Sequence, residues 1–195
     1  MINENHPFHF VQPLFQRDDA NFSFSKYVYT PDSLFDEREL ICLCGKELTE
    51  DRINREIDSL RPDQELAMHS NIRIKGKSFH IPMIDFSIEE PFSSEVFDRM
   101  SRYLPKKIML NMAVYASGRS FHAYSTTLLG PKEWFDFIGR LLLINPSNRS
   151  DIVDSRWIGH RLIGGFGSLR WSNNSGQYLG MPSRIVFPCE PSSSA

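Results

Sequence analysis

The chain lacks any run approaching the roughly 20 uncharged apolar residues that cross a bilayer. Its N-terminus, MINENHPFHF, lacks the basic-then-apolar layout of a secretory signal. The expectation is a soluble, cytoplasmic protein without a membrane partner. Cysteine is scarce, at Cys42, Cys44 and Cys189. An odd count without a Cys-x2-Cys pair argues against both a disulfide framework and a zinc module, so free thiols are expected. The Cys42-x-Cys44 spacing fits alternate residues on a half-buried strand, the other reading being a metal pair completed by outside ligands. There is no internal repeat, no long linker, and no low-complexity run beyond Pro191-Ser192-Ser193-Ser194. The expected organisation is a single domain over residues 1–195.

What is present supports a packed core: 41% hydrophobic residues, including 15 Phe. The net charge of -2 conceals an uneven distribution. Residues 1–70 carry 7 Lys or Arg against 14 Asp or Glu, and residues 71–195 carry 15 against 10. An anionic ligand in the second part explains this; so does variation of the surface. The first reading divides the domain into an acidic flank (1–70), a basic motif-bearing core (71–187) and a tail (188–195). The flank then offers a surface to a protein partner.

Residues 1–35 show poor periodicity and read as short strands and loops. From Thr49, a plausible cap, Ile53, Ile57 and Leu60 recur at helical spacing until Arg61-Pro62. Two β-prone stretches, His69 to Lys75 and Lys77 to Ser87, flank Gly76 and predict a hairpin. Ser93 or Ser94 caps a second helix whose face carries Val96, Phe97, Met100 and Leu104, closed by Pro105. Lys107 to Ala116 and Ser120 to Leu128 predict a second hairpin about Gly118. Gly130-Pro131 opens a further helix to about Ile144, with Phe135, Ile138 and Leu142 facing the core. Successive strand-strand-helix units imply an α+β fold with mixed or antiparallel pairing.

Three stretches can carry chemistry. In Ile81-Pro82-Met83-Ile84-Asp85 a lone acid ends an apolar strand, and Asp85, Ser87 and Glu89 converge on one ion if the strand continues. Otherwise Asp85 caps the strand end or pairs with an arginine. In Ser117-Gly118-Arg119-Ser120-Phe121-His122 a tight turn presents an Arg fork, and a hydroxyl and an imidazole share one strand face, a set suited to phosphate oxygens. The other reading is a hairpin with a hydrogen-bonded core His. In Ile152-Val153-Asp154 an acid follows an apolar pair, with Arg161 and Arg170 downstream as binders of a phosphate tail or a nucleic acid backbone. Trp157 and Trp171 can stack bases but read as core.

Taken in order, these motifs resemble the archaeo-eukaryotic primase superfamily, including bacterial primase-polymerases, over roughly residues 70 to 185. The resemblance implies a primase-polymerase-like catalytic core with Asp85 and Asp154 as catalytic, metal-binding acids and Mg2+ or Mn2+ as the ion. Ser120 and His122 then bind the phosphates of a nucleotide triphosphate, flanked by Gly118, Arg119 and Arg170. A single-stranded or template nucleic acid is the implied partner. The implied function is that of a nucleotide- and nucleic-acid-binding protein, a metal-dependent nucleotidyltransferase in DNA replication, repair, or mobile-element and defence systems. One departure is plain: the second Asp of the family's first motif is here Ser87. Two-metal phosphoryl transfer uses anionic ligands to hold ions about 4 Å apart, and Glu89 is the available substitute. The zinc-binding insertion of many primases has no counterpart. The alternative is a catalytically degenerate module that binds nucleotide or nucleic acid within a larger complex.

Overall fold

The computed structural model describes residues 1–16, 19–31, 33–89 and 91–185. Cys189, the serine-rich tail and the last residues of the expected 71–187 core lie outside them. In chain order the elements are α1 (Pro7–Phe15), β1 (Ala20–Val28), β2 (Arg38–Cys44), a 3-10 turn (Gly45–Glu47), α2 (Glu50–Asp58), β3 (Gln64–Ile74), β4 (Lys77–His80) and β5 (Met83–Asp85). There follow α3 (Ser94–Tyr103), α4 (Lys106–Leu110), β6 (Met112–Ala116), β7 (Phe121–Ser125), α5 (Pro131–Ile144), α6 (Ser155–Gly164), β8 (Ser168–Arg170) and β9 (Ser183–Arg184). The fold is α+β, and every ladder between these strands is antiparallel.

β3 organises the first sheet. Nearly all of its residues are buried, as a central strand covered on both faces requires. One edge takes β1, which pairs in turn with β2; the other is shared by β8 along Ala67–His69 and by β4 along Asn71–Ile74. Ser70 sits at the seam. Its N–H donates to the Gly167 carbonyl (2.8 Å), its carbonyl accepts from the Ile81 N–H (2.8 Å), and its hydroxyl accepts from the Gly167 N–H (2.7 Å). The second sheet runs β5-β7-β6-β9. The chain therefore passes between sheets at Ile81-Pro82, within the stretch expected to be a single strand. Pro82 has no N–H to give a ladder, which ends β4 and releases β5 to new partners.

Local signals hold at most element starts. Thr49 Oγ1 accepts from the Arg52 N–H (3.1 Å), Ser93 caps α3, and Pro131 opens α5 after Gly130. The β3–β4 turn has positive φ at both Lys75 (48°) and Gly76 (76°), the backbone of a two-residue hairpin. Three expectations are corrected. Residues 1–35 include α1, where Phe8, Val11 and Phe15 face the core and His6 is the cap; its Nδ1 accepts from the Phe8 N–H and its Nε2–H donates to the Trp171 carbonyl. Lys107 to Ala116 is not one strand, because Pro105 starts the short helix α4, and β6 begins only after Asn111. α5 buries Trp134, Phe137, Ile138, Leu141 and Ile144, leaving Phe135 53% and Leu142 43% exposed, so its buried face is turned from the expected one.

Two outcomes follow. A Cβ on Gly167 would lie 3.3 Å from both Cβ and Oγ of Ser70 and 3.6 Å from Cβ of Met83. Gly167→Val is therefore expected to lower the unfolding free energy by about 2 kcal/mol or more in denaturant titration. Burial holds His6 and His80 down to about 4, His69 to about 3, and His122 well below the usual value. The unfolded chain takes up these protons first as pH falls below about 6.5. Stability is expected to fall from that point toward pH 4, by up to about 1.4 kcal/mol per pH unit for each histidine, seen as a falling denaturant midpoint.

Candidate functional site

Strand pairing puts two of the chemically suggestive residues side by side. β5 lies against β7 with Asp85 opposite His122, and Tyr115 of β6 faces His122 from the other side. His122 Nε2 is 3.5 Å from Asp85 Oδ1. Asp154 joins them from another element. It is the N-cap of α6, its Oδ1 accepting from the Trp157 N–H (2.9 Å), while its own N–H donates to the Asp85 carbonyl (2.9 Å). The pair Phe86 and Val153 and the Ser87 N–H to Ile152 carbonyl bond (3.0 Å) extend this contact. The two acids are thus held together through backbone. They stand in a cleft of about 360 Å³ whose other walls come from the 117–120 turn, α6, β8 and the β1–β2 connection.

The local field decides their charge. Burial, and then the neighbouring Asp154, pushes the Asp85 carboxyl up to about 8, against the opposing pull of Arg170 and Arg161. Burial, with Arg170 adding to it, keeps His122 neutral at physiological pH. Its Nδ1 is buried without a hydrogen-bond partner among the described residues. Asp85 and His122 are therefore a protonated acid beside a neutral imidazole near pH 7, not an ion pair. Among the described residues no three His, Cys, Asp or Glu side chains are grouped to hold a metal by themselves. Two carboxylates on one wall of an open cleft fit an ion of the Mg2+ class, which takes one or two carboxylates and completes its shell with water and phosphate oxygens.

The remaining residues singled out from sequence fall into distinct places. Ser120 lines the cleft but precedes β7, and its hydroxyl donates to the Phe86 carbonyl (2.5 Å), leaving only its lone pairs for a ligand. Arg119 lies exposed at the rim. Gly118 has φ +116°, and a Cβ there would meet the Leu179 backbone nitrogen at 3.2 Å, so the turn presses on residues 179–180 in a way that only glycine permits. Arg170 is buried, and its guanidinium donates to the carbonyls of Ser117, Ser172 and Gly180 and stacks on Tyr178 at 3.9 Å. It is a brace carrying a charge rather than an open fork. Ser87 and Glu89 do not line the cleft: β5 ends at Asp85, and the Ser87 hydroxyl donates to the Asp151 carbonyl (2.6 Å). Trp171 is wholly buried, and Trp157, which lines the cleft, donates Nε1–H to the Ser168 carbonyl (2.9 Å).

Sequence reasoning missed the contribution of residues 1–70. Asp36 reaches the cleft from the β1–β2 connection and Arg38 from the start of β2, and Asp36 meets Arg161 there. Glu65, wholly buried on β3, accepts from the Ser172 hydroxyl, the Asn174 N–H (3.0 Å) and both the N–H (2.8 Å) and hydroxyl (2.7 Å) of Ser175. It pins the segment leading to Tyr178 and Gly180, the partners of Arg170. Both acids sit at positions with no motif around them, so no local signal pointed to either.

In comparisons with known proteins, residues 44–183 match the family model described as AEP-like: Archaeo-eukaryotic primase 1D-like. No curated protein and no solved structure gives a significant match.

The raised Asp85 carboxyl predicts a pH dependence of opposite sign to that of the histidines. The folded state keeps a proton that the unfolded state has lost, so stability falls as pH rises from about 4 to about 8. Asp85→Asn removes this slope, and in thermal melts at pH 8.5 the variant is expected to exceed the wild type by about 4 °C or more.

Proposed function

The chain belongs to the archaeo-eukaryotic primase 1D-like family, and on that premise we propose that its cleft binds a nucleoside triphosphate together with Mg2+ or Mn2+ for nucleotidyl transfer to a nucleic acid strand. The observation that carries this reading is the backbone bond from Asp154 to Asp85, which brings two acids together in the lining of the cleft, with Asp85 beside a neutral His122.

Asp85 and Asp154 are the residues to hold the ion, and Asp85 gives up its proton as it does so. The ion neutralises the phosphate charge that builds up in phosphoryl transfer. His122, uncharged, offers a ring N–H to a phosphate oxygen without adding repulsion toward the ion. Arg119 at the rim supplies a cation to the same phosphates or to the backbone of a template or single strand. Ser120 acts by position: its bond to the Phe86 carbonyl ties the turn to the strand carrying Asp85. Arg170, bonded to the Ser117 carbonyl, holds that turn to β8.

A second reading, nucleotide binding without transfer, is favoured by one observation. The side chain at the place of the family's second acid is Ser87, which faces the Asp151 carbonyl, and Glu89 does not line the cleft. Two carboxylates suffice for one ion with phosphate; a two-ion centre needs a further anionic ligand from the substrate.

Primer extension with Mg2+ and with Mn2+ separates the readings. Incorporation that falls at least about a hundredfold in Asp85→Ala supports transfer. Nucleotide binding by calorimetry without incorporation under either ion supports the second reading, and absence of both removes the site. Because binding displaces the Asp85 proton, Mn2+ affinity is expected to rise with pH, by up to about tenfold per unit, and to level off above about pH 8.

A further inference from the structure

Arg161 occupies a costly position. The residue is 4% exposed, yet its Nε and Nη1 are buried without hydrogen-bond partners among the described residues. An unsatisfied buried donor carries the full desolvation cost of its group, and more so when charged. The guanidinium lies over the Phe166 ring at 5.7 Å, and among the described residues its one hydrogen bond is from Nη2 to Asp36 Oδ2 at 2.5 Å. The other oxygen of Asp36 accepts from Arg38 Nε (2.8 Å), so one carboxylate bridges two guanidinium groups, an oxygen to each. Arg38 is fixed in turn by Ser25 Oγ (3.0 Å) and Ser168 Oγ (2.9 Å). All of these residues except Ser25 line the cleft that holds Asp85 and Asp154. Asp36 itself is the mobile choice on chemical grounds: its side chain is 30% exposed and it lies on the connection between β1 and β2, not in a ladder.

We propose that Arg161 and Arg38 form an anion subsite for the distal phosphate of a polyphosphate ligand, and that Asp36 is the resident carboxylate with which this phosphate exchanges. A phosphate has three peripheral oxygens where a carboxylate has two, so it meets the donors that Asp36 meets and supplies an acceptor for the unpartnered Nε or Nη1 as well. Asp36 and Arg38 precede the segment matched by the family model, whereas Arg161 lies within it, so the subsite joins the chain's own N-terminal part to the matched segment. The inference rests on the nucleotide reading for its natural ligand, a nucleoside triphosphate, but not for its chemistry, which any polyphosphate satisfies.

Calorimetry with inorganic tripolyphosphate, ATP and AMP tests both. Tripolyphosphate in the presence of EDTA is expected to bind the wild-type protein. Arg161→Gln is expected to weaken tripolyphosphate and ATP by about 10- to 100-fold and AMP by no more than about twofold, as loss of one charge-assisted bond pair to the distal phosphate implies. Asp36→Asn, which removes the competing charge, is expected to tighten tripolyphosphate by about tenfold. Where Arg161→Gln does not fold, Arg38→Gln carries the same expectation. Tripolyphosphate that fails to bind the wild type, or binds the Arg variants unchanged, overturns the subsite; equal or weaker binding in Asp36→Asn overturns the exchange. ATP affinity untouched by the Arg variants removes the subsite and leaves the nucleotide reading standing. Arg161-dependent tripolyphosphate binding without any affinity for ATP or AMP does the reverse.

Discussion

The buried guanidinium of Arg170 is the interaction on which the cleft depends. It stands on β8, at the edge of the first sheet, and donates to the carbonyl of Ser117 in the turn of the second. With its bonds to Ser172 and Gly180 and the ring of Tyr178 it joins two sheets and the segment between β8 and β9 at one point. Lysine cannot take its place, since a single ammonium lacks the planar fork that reaches carbonyls in three directions. Glu65 supports the arrangement from behind by fixing residues 172–175.

The same charge shapes the chemistry nearby. Arg170 lies close enough to act on both Asp85 and His122, lowering the affinity of each for a proton. Burial acts in the same direction on His122 and in the opposite one on Asp85. The result is a neutral imidazole beside a carboxyl that holds its proton up to about pH 8.

The acidic first part of the chain is not an appendage to this arrangement. It supplies β1, β2 and residues 64–70 of β3, the strand on which the first sheet is built, and it sends Asp36 and Arg38 into the cleft. The excess of acid in residues 1–70 therefore includes two carboxylates with internal partners: Asp36, held by Arg38 and by Arg161, and Glu65, held by backbone amides and hydroxyls of residues 172–175. Charge counted along the chain does not separate such internal partners from surface charge.

The motifs of the site and their order were legible in the sequence because each is local: an apolar run ending in Asp85, a turn with Gly118 before His122, an apolar pair before Asp154. Helix caps at Thr49 and Ser93 and the Lys75-Gly76 turn were legible for the same reason, that the groups they satisfy lie within three residues. What sequence could not decide was direction and company. The buried face of α5, the break at Ile81-Pro82, the commitment of the hydroxyls of Ser87 and Ser120 to backbone carbonyls, and the meeting of Asp36 with Arg161 across 125 residues each depend on a neighbour remote in the chain. The residue types of the candidate site were determined by the sequence alone; which of them line the cleft, and with what charge, only the tertiary structure decided, because hydrogen-bond partners and desolvation are properties of what packs around a side chain.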